Sequence, residues 1–370
     1  MLHNNRLIPS AILVVLFVSS LPALSTAVSR SAYDPDGYRR QLTYNRDGNN
    51  AGAAQTQTQQ RPPTVAILLF DGVQIIDYSG PWEVFGQAGF EVHTVAEKTE
   101  PVTTRFGQKV IADYTFDNSP KADILLLPGG RGTLKAADNP RVIKWIQANA
   151  KDARYVMSVC TGAFLLARAG LLDGLTATTF HGAIGALSEA APKAKVVYDQ
   201  RYVDNGKVIT TAGLSSGIDG ALHLVAKILG RGEAQSEALG LEYTWESDSK
   251  HARAAFADRY LPDFQGFDAK LISVEGDLEH WEMQVLVSKP ASVAEIMELT
   301  RKQIVSATPH TSSAVTATQR APKATDRAEL EWKFTDDLGR GWSGLSVVEP
   351  APDEKGKFVV TLKLARSFKQ

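Results

Sequence analysis

Tyr155-Val156-Met157-Ser158-Val159-Cys160-Thr161-Gly162-Ala163-Phe164-Leu165-Leu166-Ala167 decides the fold. A short apolar run of strand type enters a sharp turn, and an apolar, helix-favouring stretch leaves it. Cys160 falls at the turn, with Ser158 two residues before it and Gly162 two residues after it. This is the sulfur counterpart of the G-x-S-x-G nucleophile elbow, where small neighbours let two backbone segments crowd together and push the central side chain out at the top of a sheet. The unpaired N–H groups of the following helix carry positive partial charge, which predicts a thiolate. A free cysteine also reads as an inert core residue, and the elbow string by itself does not choose between the two.

Outward from the elbow, short apolar runs alternate with amphipathic stretches from Thr64 to about Trp245. Val65–Phe70, Glu91–Ala96, Ile124–Leu127, Thr176–Phe180 and Val208–Thr211 read as strands. Ile76–Ala88, Pro140–Ala150, Ser215–Leu229 and Glu233–Leu241 read as helices, with Pro81 in the first turn of its helix and Asn139 capping the next. Buried strands alternating with helices predict an α/β fold, a parallel sheet sandwiched by helices. Sites in such sheets lie at the carboxyl ends of the strands. Cys160 and the loop Pro128-Gly129-Gly130-Arg131-Gly132 both fall there.

From about Ser247 the rhythm changes. Ser306–Thr325 is rich in Thr, Ala, Ser and Pro and reads as flexible. Trp332–Thr335 and Phe358–Leu364 read as strands, and Asp337–Gly344 between them is turn-rich. Residues 247–370 are therefore expected to form a small α+β appendage of unassigned role, after a domain over 64–246. At the other end, Arg6, the apolar run Ile8–Val18 and Ser25-Thr26-Ala27 have the order of a secretory signal peptide over residues 1–27. The run is short for a membrane span, and an uncleaved anchor is the alternative. Residues 28–63 are polar and read as a disordered linker. The expected location is secreted or periplasmic. A lone cysteine cannot close an intramolecular disulfide in such a compartment, so Cys160 is a free thiol or an intermolecular partner. A net charge of −1 without a basic run gives no reason to expect nucleic acid, and no membrane contact is expected once the signal is removed.

Three further pieces converge on Cys160. Gly129 and Gly130 read as a plain turn or, with the Thr161 amide, as donors to a developing oxyanion. Asp77, directly after apolar Ile75 and Ile76 near a helix start, reads as an N-cap or as a buried carboxylate exchanging a proton with the thiol. His181, just past a strand, is the best-placed ring for binding substrate. The other histidines are scattered and give no metal signature.

Several of these strings resemble the ThiJ/PfpI superfamily of class I glutamine amidotransferase-like proteins. They are Ile67-Leu68-Leu69-Phe70, Asp77-Tyr78-Ser79-Gly80-Pro81-Trp82-Glu83-Val84-Phe85, Leu127-Pro128-Gly129-Gly130 and Ser158-Val159-Cys160-Thr161-Gly162-Ala163. To these add Gly170-Leu171-Leu172-Asp173-Gly174, Ala177-Thr178-Thr179, Thr211–Asp219 and Leu241-Glu242-Tyr243. The resemblance spans about half the chain and leaves the appendage out. It implies a flavodoxin-like fold, often dimeric, and is nearest to isonitrile hydratases and their relatives. Cys160, Asp77 and Thr161 stand at the positions matching their reactive cysteine, acid and following threonine. Thr161 replaces the histidine of the intracellular peptidase branch, which counts against a protease. The resemblance thus implies a cysteine-dependent hydratase or hydrolase of a small-molecule electrophile that needs no cofactor. The alternatives are a binding or redox-sensing module, or a glyoxalase or deglycase acting on reactive carbonyls.

Overall fold

In Ile124–Leu127 and Tyr155–Ser158 every residue is buried, as strands covered on both faces must be. The computed structural model describes residues 61–248, 251–264, 267–288, 292–307, 318–320, 327–336 and 338–367. The expected signal peptide and nearly all of the expected linker lie outside the described residues. The last linker residues, 61–63, are held by the domain: Arg61 donates to both oxygens of Asp123 at 2.8 and 2.9 Å, and Pro63 accepts the Glu91 amide.

The first part of the chain supplies strands β1 (Thr64–Leu68), β2 (Glu91–Ala96), β3 (Val102–Thr103), β4 (Lys109–Val110), β5 (Tyr114–Thr115), β6 (Ile124–Leu127), β7 (Tyr155–Ser158), β8 (Thr176–Ala177), β9 (Lys195–Val196), β10 (Tyr202–Asp204) and β11 (Val208–Thr211). Its helices are α1 (Ile75–Gln87), α2 (Thr133–Ala137), α3 (Pro140–Asp152), α4 (Ala163–Arg168), α5 (Ile184–Ala190), α6 (Ser216–Leu229) and α7 (Arg231–Gly240). Seven strands form one sheet in the order β10-β11-β7-β6-β1-β2-β5. All neighbours run parallel except β10 against β11. The long parallel strands therefore follow the flavodoxin-like order, with the switch in winding direction between β1 and β6. Loops after β1, β6, β7 and β11 meet at that carboxyl edge.

Two expectations in this domain shift. Thr176–Phe180 holds only the two-residue strand β8, paired with β9 outside the main sheet. Thr178 and Thr179 instead spend their polar groups on neighbours: the Thr178 amide on Thr210 and the Thr179 hydroxyl on the Cys160 carbonyl. Pro81 sits in the second turn of α1, not its first. Lacking an N–H, it leaves the Asp77 carbonyl without its usual helical donor. Asn139 caps α3 as expected, its side chain accepting the Arg141 amide at 2.9 Å.

The C-terminal part contributes β12 (Ala269–Gly276), β13 (His280–Val287), helix α8 (Val293–Ala307), β14 (Thr318–Arg320), β15 (Ala328–Thr335), β16 (Gly341–Pro350) and β17 (Phe358–Arg366). They make a six-stranded antiparallel sheet, β12-β13-β17-β16-β15-β14, against which α8 packs. Inward residues alternate along β15 (Leu330, Trp332, Phe334) and β17 (Val360, Leu362, Leu364). They form a hydrophobic cluster separate from that of the parallel sheet. The segment Gly341–Gly344, expected as turn, opens strand β16. Gly344 lies under the Trp332 ring, where a Cβ would overlap it. Most of the expected flexible stretch Ser306–Thr325 is outside the described residues, and Thr318–Arg320 within it forms β14.

Candidate active site

The elbow is built by crowding. The Val159 amide donates to Leu127 at the end of β6, and the Cys160 amide donates to the Ala212 carbonyl just past β11 at 2.9 Å. The Cys160 carbonyl accepts the Thr179 hydroxyl at 2.7 Å. Held from three sides, Cys160 takes φ 57°, a left-handed backbone that costs a non-glycine residue roughly 1–2 kcal/mol. Gly162 is required beside it, since any Cβ there would run into the Leu127 carbonyl.

Asp77 enters from the first turn of α1 and is fully buried. Its Oδ2 accepts the Gly129 amide at 3.1 Å. Its Oδ1 is buried without a hydrogen bond of ordinary geometry. Burial pushes the carboxyl up to about 7, against the opposing pull of the Gly129 amide, the Cys160 thiol, the Leu214 amide and the Arg105 charge. The N-cap reading does not describe this residue, because Gln74 holds the cap position of α1.

The thiol departs from expectation. Cys160 is 6 % exposed, and burial, followed by the charge of Asp77, pushes it up to about 12. The Thr161 amide and hydroxyl pull the other way but do not prevail. The elbow leads into a single 3-10 turn and then the six-residue helix α4, too short a dipole to outweigh desolvation of the sulfur. The resting state is therefore a neutral thiol beside a carboxyl that titrates near neutrality. The pair holds two protons below about pH 7 and one above it.

Thr161 and the glycine loop are tied together. The Gly130 amide donates to the Thr161 Oγ1 at 3.0 Å, and Thr133 Oγ1 lies 3.0 Å from the same atom while bonding the Gly130 carbonyl. The Gly129 and Gly130 amides are thus already committed, one to Asp77 and one to Thr161. The expected oxyanion donors therefore hold the loop and the acid in place, and the Thr161 amide acts on the sulfur. His181 is exposed in the turn 181–183, its ring 4.2 Å from that of Phe180. Burial and the charge of Arg253 lower its pKa; among the described residues its charged neighbours are Arg253 and Asp258 rather than the acid–thiol pair. A cavity of about 350 Å³ near the ends of β1 and β2, lined by Phe70, Asp71, Glu97, Lys98 and Lys135 among others, does not include Cys160 or Asp77 in its wall.

Residues 63–227 match the DJ-1/PfpI family model. Isonitrile hydratase of Pseudomonas putida is 36% identical over 183 residues, covering 48% of this chain and 78% of the hydratase. The chain belongs to the DJ-1/PfpI family. The HTH-type transcriptional regulator GbdR of Pseudomonas aeruginosa is 28% identical over 179 residues, 46% of this chain and 48% of the regulator. The chain thus spans about half of that relative. A ThiJ/PfpI family protein from Pseudomonas syringae, known from its crystal structure, is 28% identical with a TM-score of 0.47, covering 54% of this chain and 84% of that one. The DJ-1/PfpI match ends before the antiparallel sheet. Within the site, sequence reading did not single out Thr133 or Gln74, and it met Thr179 and the Ala212–Leu214 turn only inside strings of the family resemblance, without a role in the site. Threonines and a backbone turn carry no chemical signature until the chain folds them against the cysteine.

Proposed function

We propose that the chain is a cysteine-dependent hydratase or hydrolase of small electrophiles, with an isonitrile as the model substrate. The observation that carries this reading is the buried pair of Asp77 and Cys160, a carboxyl raised to about 7 against a thiol. A carboxyl tuned to neutrality both accepts and returns a proton at working pH. With Asp77 ionised, it takes the thiol proton as the sulfur attacks the terminal isonitrile carbon, and delivers that proton to the carbon. The product is a thioimidate on Cys160. Water then adds to the same carbon, Asp77 taking one of its protons and passing it to the imidate nitrogen; the C–S bond breaks as the remaining hydroxyl proton returns to the sulfur, and an N-substituted formamide leaves. The similarity to isonitrile hydratase supports the choice of substrate. The exported location read from residues 1–27 is part of the same proposal, tested by fractionating cells that express the full chain.

The test is formamide production from an alkyl isonitrile, with methylglyoxal as a parallel substrate. Wild type should turn over the isonitrile. Cys160→Ala should abolish turnover, and Asp77→Asn should lower it by about 10²-fold or more. Unimpaired turnover in Cys160→Ala contradicts the reading, and turnover of methylglyoxal alone moves it to carbonyl substrates. A second reading, a binding module without turnover, is favoured by the deep burial and high pKa of the thiol and by the similarity to a transcriptional regulator. Absence of turnover with intact ligand binding would select it.

A further inference from the structure

Arg105 stands in the turn between β3 and β4. Its amide donates to the Val73 carbonyl at 2.8 Å, and its Nη1 donates to the Gln74 Oε1 at 3.0 Å. Gln74 is itself 7 % exposed. The Gln74 amide donates to Gly129, and its carbonyl accepts the Asp77 amide at 3.2 Å. The guanidinium is therefore fixed, by backbone and by side chain, to the turn that carries the acid of the site. Its charge is felt at the Asp77 carboxyl.

The partner of this cation is a neutral amide. Apart from the ring of Phe106, 5.3 Å away, the guanidinium has no other partner among the described residues, and no carboxylate lies within ion-pair distance of it. Gln74 occupies Nη1 and leaves Nε and Nη2. Those two N–H groups form one edge of the guanidinium, the edge that grips a carboxylate with two parallel hydrogen bonds. Arg105 is also exposed, so that edge is open to a ligand. When Asp77 and Cys160 both carry their protons, Arg105 is a cation joined through Gln74 to Asp77 and to Gly129, which packs against Cys160, and an anionic group reaching it meets no charge repulsion from the acid or the thiol.

We infer that Arg105 is a substrate-binding residue and that the site takes small electrophiles bearing a carboxylate. This rests on the proposed reactive pair, but its test does not require turnover. Cys160 is the only cysteine in the chain, so alkylation read by mass reports one sulfur. The probes are iodoacetate and iodoacetamide, matched in shape and different in charge. Their rate ratio cancels any change in the reactivity of the thiol itself. Measured just below neutral pH and normalised to the ratio for glutathione, wild type should favour iodoacetate by about tenfold. Added salt should shrink the preference. Arg105→Gln should bring the ratio to that of glutathione, and Arg105→Lys should retain part of it. Each variant should still label more slowly than glutathione, which reports that the sulfur remains buried and the fold intact. A wild-type ratio equal to that of glutathione overturns the inference, as does an undiminished preference in Arg105→Gln. Loss of isonitrile turnover with a persistent Arg105-dependent preference would instead reject the proposed reaction and leave the anion subsite standing.

Discussion

At the scale of single residues, Asp77 shows burial winning over compensation. One oxygen accepts the Gly129 amide and the other has no ordinary hydrogen bond, so desolvation outweighs the groups that favour the anion. The consequence for stability has a definite sign. The folded protein keeps a proton on Asp77 up to about pH 7, whereas the unfolded chain releases it near 3.8. Folded stability therefore falls as pH rises through that window and is flat above it. Asp77→Asn, which cannot ionise, should be more stable than wild type above pH 7, by on the order of 4 kcal/mol at most, and indistinguishable in this respect below about pH 4. Urea unfolding of both proteins across that range measures it; a constant difference at all pH values would remove the raised carboxyl from the account. Asp77 was visible in the sequence as a candidate because an acid directly after two isoleucines is unusual, but N-cap and buried carboxylate share that pattern. Only the register of α1 separates them. The ionisation of Cys160 was misread for a related reason. A helix after the cysteine is legible in the sequence, whereas its shortness and the depth of the sulfur are properties of packing.

At the scale of elements, the site depends on the turn after β11. Ala212 accepts the Cys160 amide, and its own amide donates to the Arg201 carbonyl at 2.8 Å. Leu214 takes φ 58° and brings its amide to the Asp77 carboxylate. This turn is clamped from behind. Arg201 bonds Asp219 through Nε at 2.6 Å and reaches the Ser215 hydroxyl at 3.1 Å, while the Tyr243 hydroxyl donates to the other Asp219 oxygen at 3.1 Å. Asp219 is 5 % exposed, so removing its partner strands a buried charge. Arg201→Gln should cost roughly 3 kcal/mol in unfolding free energy and should also slow Cys160 chemistry as the turn relaxes; the urea midpoint and the alkylation rate measure the two effects. An unchanged alkylation rate in a destabilised variant would make the clamp purely structural. The strings that contain Asp219 and Tyr243 were legible as parts of a family pattern. Their partner Arg201, in the bend just before β10, was not. Among the elements themselves, fully apolar strands such as Ile124–Leu127 were readable because burial on both faces leaves a continuous run. Gly341–Gly344 was not, because glycines that receive a tryptophan ring look like turn residues in one dimension.

At the scale of the molecule, two sheets with two hydrophobic clusters share one chain. Their connection runs through the segment Arg253–Tyr260: Arg340 of the antiparallel part donates to the Ala255 carbonyl at 2.7 Å, and Arg259 lies over the Tyr198 ring of the parallel part at 5.6 Å. Asp336 organises the first of these contacts, accepting from Arg340 and from the Trp342 indole. The architecture of the first part was legible because strand–helix alternation admits few arrangements. That of the second was only partly so, since antiparallel pairing joins residues far apart in sequence and leaves no local rhythm beyond alternation. The reactive pair lies wholly in the first part. The whole chain carries a single thiol, and this makes one experiment decisive: the rate of Cys160 alkylation by iodoacetamide against pH, for wild type and Asp77→Asn. A shared proton predicts that the wild-type rate climbs as Asp77 ionises near pH 7, and that Asp77→Asn lacks this step and remains slow. Superimposable profiles for the two proteins, or wild-type labelling below pH 7 as fast as that of a free thiol, would contradict the account.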